Sequence, residues 1–151
     1  MMWALGIAWP ALAQVVLTAP SGINGAVGSS LPIELSVTNL PDSGIATFKI
    51  VLAYQAELMT FDENSVLSAG TLSEDWSINI NASEEGQVVV GGFAIGDNYI
   101  SSNGTLITLV ATLETGGITD LVIDSLATEI EDQSGMLVNT LWEDGSVTVF
   151  R

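Results

Sequence analysis

Short apolar runs alternate with clusters of turn-forming residues along most of the chain, and this rhythm restricts the fold more than any other feature. The clusters contain Gly, Asn, Asp, Pro and Ser, and after Gln14 no run keeps apolar residues at the helical period for three turns. Many short strands separated by such turns are typical of a β-sandwich or barrel. Strands are predicted at Gln14–Thr18, Leu31–Asn39, Ile45–Gln55, Trp76–Asn81, Val88–Ala94, Thr105–Leu113, Leu121–Leu126 and Ser146–Phe150.

The predicted strand at Ile45–Gln55 has two faces of different character, because successive side chains of a strand point to opposite sides of the sheet. The face directed to the core is expected to hold Phe48, Ile50, Leu52 and Tyr54. The outer face is expected to hold Thr47, Lys49, Val51 and Ala53. This outer face is less polar than contact with solvent requires, which fits either an ordinary mixed surface or a surface that binds a partner.

The first residues have the character of an export signal. Met1–Leu12 is almost wholly apolar, and the small residues Ala11 and Ala13 precede Gln14 in the pattern of a cleavage site. A run of about a dozen apolar residues is shorter than the ~20 that span a bilayer. We therefore predict a signal peptide over residues 1–13, a single domain over residues 14–151, and a secreted or cell-surface location.

The charge balance excludes several classes of partner. The sequence has 18 acidic residues against 2 basic ones, Lys49 and Arg151, and a formal net charge of -16. Such a field repels phosphate backbones and anionic lipid, so we expect neither nucleic-acid nor membrane binding. The chain also lacks His and Cys, which removes the usual general base, thiol nucleophile and soft-metal ligands.

Carboxylates are the remaining candidates for catalysis or metal binding. Adjacent acids occur at Glu74-Asp75, Glu84-Glu85 and Glu131-Asp132, but a glycosidase needs two carboxyls about 5–9.5 Å apart across a cleft. Glu129–Asp132 with Asp124 could supply oxygens to calcium, although the spacing is not that of an EF-hand loop. We interpret these acids as solvated turn residues and predict that the chain is not an enzyme and holds no metal.

Five motifs follow one another in an order that resembles the cohesin family, the receptor modules of cellulosomal scaffolding proteins. The resemblance extends over nearly all of Val15–Phe150, with Gln55 and Ala56 standing where the family usually has aspartate and proline. The motifs are VGSSLPI at Val27–Ile33, VTNL at Val37–Leu40, GIATFKIVLAY at Gly44–Tyr54, ISSNGTL at Ile100–Leu106 and DGSVTV at Asp144–Val149.

The resemblance implies an all-β protein, a nine-stranded antiparallel jelly-roll sandwich, that binds a dockerin-bearing protein through one outer sheet face. Calcium in such complexes belongs to the dockerin, so no cofactor is expected on this chain. Carried over by position, the partner-binding residues are Thr47, Lys49, Val51, Ser77, Asn79, Val89 and Gly91.

Direct binding of a polysaccharide is the alternative function, because several cellulose-binding modules share the sandwich architecture of cohesins. That function needs a planar strip of exposed aromatic side chains that stack on sugar rings. Trp76 and Trp142 are the candidates for such a strip.

Overall fold

A computed structural model describes residues 14–151, which form thirteen strands and no helix. The predicted signal peptide at residues 1–13 lies outside the described residues. Within residues 14–151 there is accordingly no helix with the length and apolarity needed to cross a membrane. The strands are β1 (Val15–Thr18), β2 (Ile23–Ala26), β3 (Ser30–Thr38), β4 (Ile45–Ala53), β5 (Met59–Thr60), β6 (Val66–Leu67), β7 (Ser77–Asn81), β8 (Gln87–Phe93), β9 (Gly104–Leu113), β10 (Gly117–Ile123), β11 (Glu129–Asp132), β12 (Thr140–Glu143) and β13 (Gly145–Phe150).

The strands form two sheets that enclose the core, which confirms the predicted β-sandwich. Sheet one has the order β12-β1-β3-β9-β5, and β6 also pairs with β9. Sheet two has the order β2-β13-β10-β4-β8-β7, and β11 also pairs with β4. Neighbouring strands are antiparallel except for two parallel pairs, β12 with β1 and β13 with β2.

The terminal strands pass together from one sheet to the other. β1 and β12 lie side by side in sheet one, and their continuations β2 and β13 lie side by side in sheet two. At the crossing the Ser146 amide donates to the Pro20 carbonyl at 3.0 Å. A Cβ at Gly145 would collide with that carbonyl, so the crossing requires glycine.

The count of thirteen strands differs from the predicted nine for a simple reason. β1 with β2 and β12 with β13 are two strands that each bend between sheets, and β5 and β6 have two residues each. Nine strands remain when each bent pair is counted as one strand and the two short strands are set aside.

The core confirms the predicted direction of the side chains of β4 that face inward. Phe48, Ile50 and Leu52 are buried in the core cluster, and Tyr54 is half-buried against it. The Phe48 ring stacks on Trp76 with ring centroids 5.7 Å apart, and the Trp76 indole N–H donates to the Asn98 carbonyl at 2.8 Å. The largest fully buried side chains come from both sheets and are Leu17, Ile33, Leu35, Ile45, Ile50, Leu52, Met59, Leu106, Ile107, Leu109, Leu113 and Leu121.

The two adjacent glycines inside β8, Gly91 and Gly92, have different surroundings. Pairing between β4 and β8 runs through Gly91 and Gly92 without a bulge. A Cβ at Gly92 would lie 2.7 Å from the Ile78 Cδ1 methyl and 2.8 Å from the Phe48 ring. Gly92 therefore makes room for the Phe48 ring, whereas Gly91 lies on the outer face of the same strand.

Replacing Gly92 by alanine should destabilise the domain by about 1–3 kcal/mol, because the added methyl group overpacks the core at the Phe48 ring. The matched control is Gly91→Ala, whose Cβ would meet the Asn79 Oδ1 at 3.3 Å on the outer face. The control should change the free energy of unfolding by less than about 1 kcal/mol. Urea unfolding of both variants measures the difference, and equal stabilities would contradict this account of the core.

Candidate functional site

The outer face of sheet two is organised in rows of residues that lie opposite one another on neighbouring strands. Lys49 on β4 lies opposite Gly91 on β8, and Gly91 lies opposite Asn79 on β7. On the other side of β4, Glu129 of β11 lies opposite Lys49. We call these four residues the central row. The single lysine of the sequence therefore stands in the middle of this row.

Two further rows flank the central row and complete the predicted site. One flanking row consists of Ser77, Phe93, Thr47 and Glu131, and the other of Asn81, Val89 and Val51. In the first of these rows the Thr47 hydroxyl donates to the Glu131 carboxylate at 3.2 Å, which connects β4 to β11. The three rows together contain all seven predicted partner-binding residues, which therefore share one face of one sheet.

Exposure separates Val51 from the other six predicted residues. Lys49 and Asn79 are exposed, and Thr47, Ser77, Val89 and Gly91 are partly exposed. Val51 is only 3% exposed, although it does not belong to the core cluster between the sheets. The prediction that Val51 is available on the surface is therefore wrong. Alternation gave the correct side of the sheet, but it does not account for the burial of Val51 on that side.

Residues 124–128, which connect β10 to β11, are hydrogen-bonded to Val51. The Asp124 amide donates to the Val51 carbonyl at 2.9 Å, and the Val51 amide donates to the Thr128 hydroxyl at 3.0 Å. This connection thus bonds to both backbone groups of Val51, the residue whose side chain is buried on this side of the sheet. Because this connection replaces strand pairing at Val51, we call residues 124–128 the bridging segment.

A mismatch in residue number explains why the bridging segment stands out from the sheet. Ile123 pairs with Leu52, and Glu129 pairs with Lys49. Between these pairs β4 has two residues, 50–51, whereas the facing chain has five, 124–128. The three additional residues have no partners on β4, and the core fills the inner side of β4 at Ile50 and Leu52. The segment therefore has room to leave the plane of the sheet only on the outer side.

Sequence reasoning missed three apolar side chains on or beside this face. Phe93 is 50% exposed in β8, Val122 is 42% exposed in β10, and Leu126 is 97% exposed in the bridging segment. Phe93 could have been found, because it alternates with the outward residues Val89 and Gly91. Leu126 lay at the end of a predicted strand, and strand alternation carries no information about an arched connection.

The adjacent acids have structural roles in turns. Glu74 accepts the Gly70 amide at 2.6 Å, and Asp132 accepts the Ser134 amide at 2.8 Å. Glu84 accepts the Gln87 side-chain amide at 3.0 Å. Among residues 14–151, no group of three or more acidic side chains is arranged to hold a metal ion.

A cavity of about 380 Å³ lies beside the end of β4. The residues that line it include Tyr54, Phe61 and three glutamates, Glu57, Glu84 and Glu85. Burial raises the pKa of Tyr54, a backbone hydrogen bond with Gly86 lowers it in part, and the Glu85 charge adds to the rise. The phenol therefore stays protonated at neutral pH. The glutamates of this cavity are exposed, unlike the buried acid that glycoside hydrolysis requires.

The aromatic side chains do not form a strip for sugar rings in the part of the chain that the structure describes. Trp76 is buried, and Trp142 is half-buried against the core. Phe93 and Phe150 are exposed on sheet two, but Phe93 lies opposite Thr47 near the start of β4. Phe150 lies on β13, and the intervening β10 meets β4 only at its other end. The polysaccharide alternative thus gains no support.

The sequence model of the family described as the cohesin domain matches residues 13–149, nearly the whole chain. The chain belongs to the cohesin family. Cohesins are non-catalytic protein-binding modules, so the prediction that this chain is not an enzyme is confirmed. No curated protein matches the sequence of this cohesin.

Solved cohesin structures have the same fold, including its jelly-roll type. The solution structure of CaCohA2 from Clostridium acetobutylicum is 20% identical with a TM-score of 0.77, and the match covers 92% of each chain. The sixth cohesin of scaffoldin B from Acetivibrio cellulolyticus, in complex with the Cel5 dockerin, is 19% identical with a TM-score of 0.75, covering 90% of this chain and 99% of that one. The Coh-OlpC chain from Clostridium thermocellum, in complex with Doc435, is 15% identical with a TM-score of 0.75, covering 96% and 99%.

Removing the Thr128 hydroxyl tests how much the hydrogen bond between the bridging segment and the Val51 amide stabilises this cohesin. Thr128→Val keeps the volume of the side chain but leaves the buried Val51 amide without its acceptor, which should cost about 1–3 kcal/mol. The control Thr128→Ser keeps the hydroxyl and loses one methyl group, a change of about 0.8 kcal/mol. Chemical denaturation compares the variants. If Thr128→Val were as stable as Thr128→Ser, the Val51 amide would not depend on this hydroxyl.

Proposed function

We propose that this cohesin is an extracellular docking module that holds a dockerin-bearing protein on the outer face of sheet two. The observation that carries the proposal is the central row, in which Lys49, Gly91 and Asn79 lie side by side on three adjacent strands. The relatives named above support the partner class, since two of them were solved in complex with dockerins or Doc modules.

The chemistry of the face suits protein–protein contact. Exposed apolar side chains of this face, among them Phe93 and Val122, supply area that a partner can remove from water. The strands hold the backbone rigid, so a partner orders few additional groups on binding. Lys49 offers one positive charge to a carboxylate of the partner.

The acids at the border of the face set the charge of the partner. Glu129 and Glu131 stand beside Lys49 and Thr47, and the whole chain carries a net charge of -16. A partner that docks here has to present basic residues to this border, because like charges across an interface are strongly unfavourable. Opposite charge also accelerates the encounter, most strongly at low salt.

Export from the cell and a place in a polysaccharide-degrading assembly belong to the same proposal. The apolar segment that ends before Gln14 supports export. One relative of similar fold is a cohesin module from a cellulosomal, cell-surface anchoring scaffoldin of Ruminococcus flavefaciens. A docking module of this kind acts where its partner is secreted.

Capture of partners from the secreted fraction of the source organism tests the proposal. The baits are the unaltered domain, Asn79→Arg in the central row, and Asn139→Arg as a control beside sheet one. The unaltered bait and the control should retain a protein that carries a dockerin sequence, identified by mass spectrometry. Asn79→Arg should reduce its capture at least about ten-fold, because a long charged side chain then stands between the two surfaces.

Two outcomes would contradict the proposal. Failure of the unaltered bait to retain any dockerin-bearing protein would remove the proposed partner. Equal losses with Asn79→Arg and Asn139→Arg, in variants that melt at the same temperature as the unaltered domain, would remove the proposed face.

A further inference from the structure

Leu126, at the top of the bridging segment, is the most exposed large apolar residue in the described part of the chain. Leu126 is 97% exposed, whereas the next most exposed large apolar residues, Ile118 and Met136, are each 65% exposed. Leucine gains about 1.5–3 kcal/mol from full burial. Single exposed apolar residues are common, so exposure alone does not indicate a function. The local structure around Leu126 supplies the further evidence.

The bridging segment is closed by hydrogen bonds of its own although it leaves the plane of the sheet. The Leu126 amide donates to the Asp124 carboxylate at 3.0 Å, and the amides of Ala127 and Thr128 donate to the Asp124 carbonyl at 3.2 and 2.9 Å. Two more hydrogen bonds fix the ends of the segment to Val51. Leu126 is therefore held out by a closed turn, and binding through it orders few additional backbone groups.

The position of the segment connects Leu126 with the docking face. The segment is hydrogen-bonded to Val51, which lies one row from Lys49 and one row from the Ala53–Val122 pair. The exposed Val122 thus borders it on one side, and the central row borders it on the other. Leu126 consequently stands within the face that the proposed function assigns to the partner.

Charges around the segment restrict the chemistry of what can cover it. Asp120 is exposed on β10 before the segment, and Glu129 is exposed on β11 directly after it. A second copy of this chain would bring the same carboxylates into contact with these acids, which is unfavourable. A partner whose binding surface carries basic residues around an apolar recess has the complementary pattern.

We propose that Leu126 is an apolar anchor that inserts into a recess of the dockerin-bearing partner, and that basic residues of the partner surround this recess. This inference rests on the proposed function and adds a residue that decides affinity. Interfaces commonly concentrate their binding energy in a few central apolar residues that become fully desolvated. A leucine that is already held in place fits this role.

Calorimetric titration with the dockerin module obtained from the capture experiment tests the anchor. Leu126→Ala should weaken binding about ten- to hundred-fold, whereas Leu126→Met, which keeps the apolar volume, should stay within about three-fold. The matched control Leu67→Ala makes the same exchange on β6 of sheet one and should bind like the unaltered domain. All three variants should melt within about 2 °C of it, since neither leucine belongs to the core cluster.

The other outcomes separate the anchor from the proposed function. If Leu126→Ala binds normally while Asn79→Arg does not, the anchor is wrong and the docking face stands. If the unaltered domain captures no dockerin-bearing protein, the proposed function fails, and the anchor fails with it. If sedimentation shows a dimer of the free chain that Leu126→Ala dissociates, a second copy covers the leucine and the partner assignment is wrong.

Discussion

The second edge of β4 must be hydrogen-bonded along its whole length, and the exposure of residues on the outer face of sheet two depends on how this is achieved. One edge of β4 pairs continuously with β8. The other edge is shared by β10, the bridging segment and β11, which follow one another along the chain. Because five residues span the space of two, the segment closes the gap at Val51 and arches outward. The burial of Val51 and the exposure of Leu126 are two consequences of this arrangement.

Much of the fold could be predicted from the sequence, because strand alternation and turn residues are local signals. Each of the eight predicted strands corresponds to an observed one within a few residues. β11 was missed, since its sequence EIED reads as a charged turn, and it forms a strand only because β4 offers it an edge. β2 was missed because its sequence INGA contains the turn-forming pair Asn-Gly, and β12 was missed because TLWE has only two apolar residues.

The candidate site was less accessible from the sequence than the fold. The family resemblance placed seven residues by position, and the register puts them in three adjacent rows. Alternation fixes the side of the sheet to which Val51 points, but it cannot show that a connection between two other strands is hydrogen-bonded to Val51. The prominence of Leu126 comes from the same non-local connection. In both cases the sequence does not show that five residues of the connection between β10 and β11 face only two residues of β4.

Dockerin docking on the outer face of sheet two is the central claim, and mapping the contact by NMR tests it most directly. The ¹⁵N-labelled domain would be titrated with the captured dockerin module, and the shifts of the backbone amides followed. We expect the largest changes in β4, β7, β8 and the bridging segment, with Lys49, Gly91 and Leu126 among them. The amides of β1, β3 and β9 in sheet one should stay nearly unchanged. Large changes concentrated in sheet one, with sheet two unaffected, would contradict the claim.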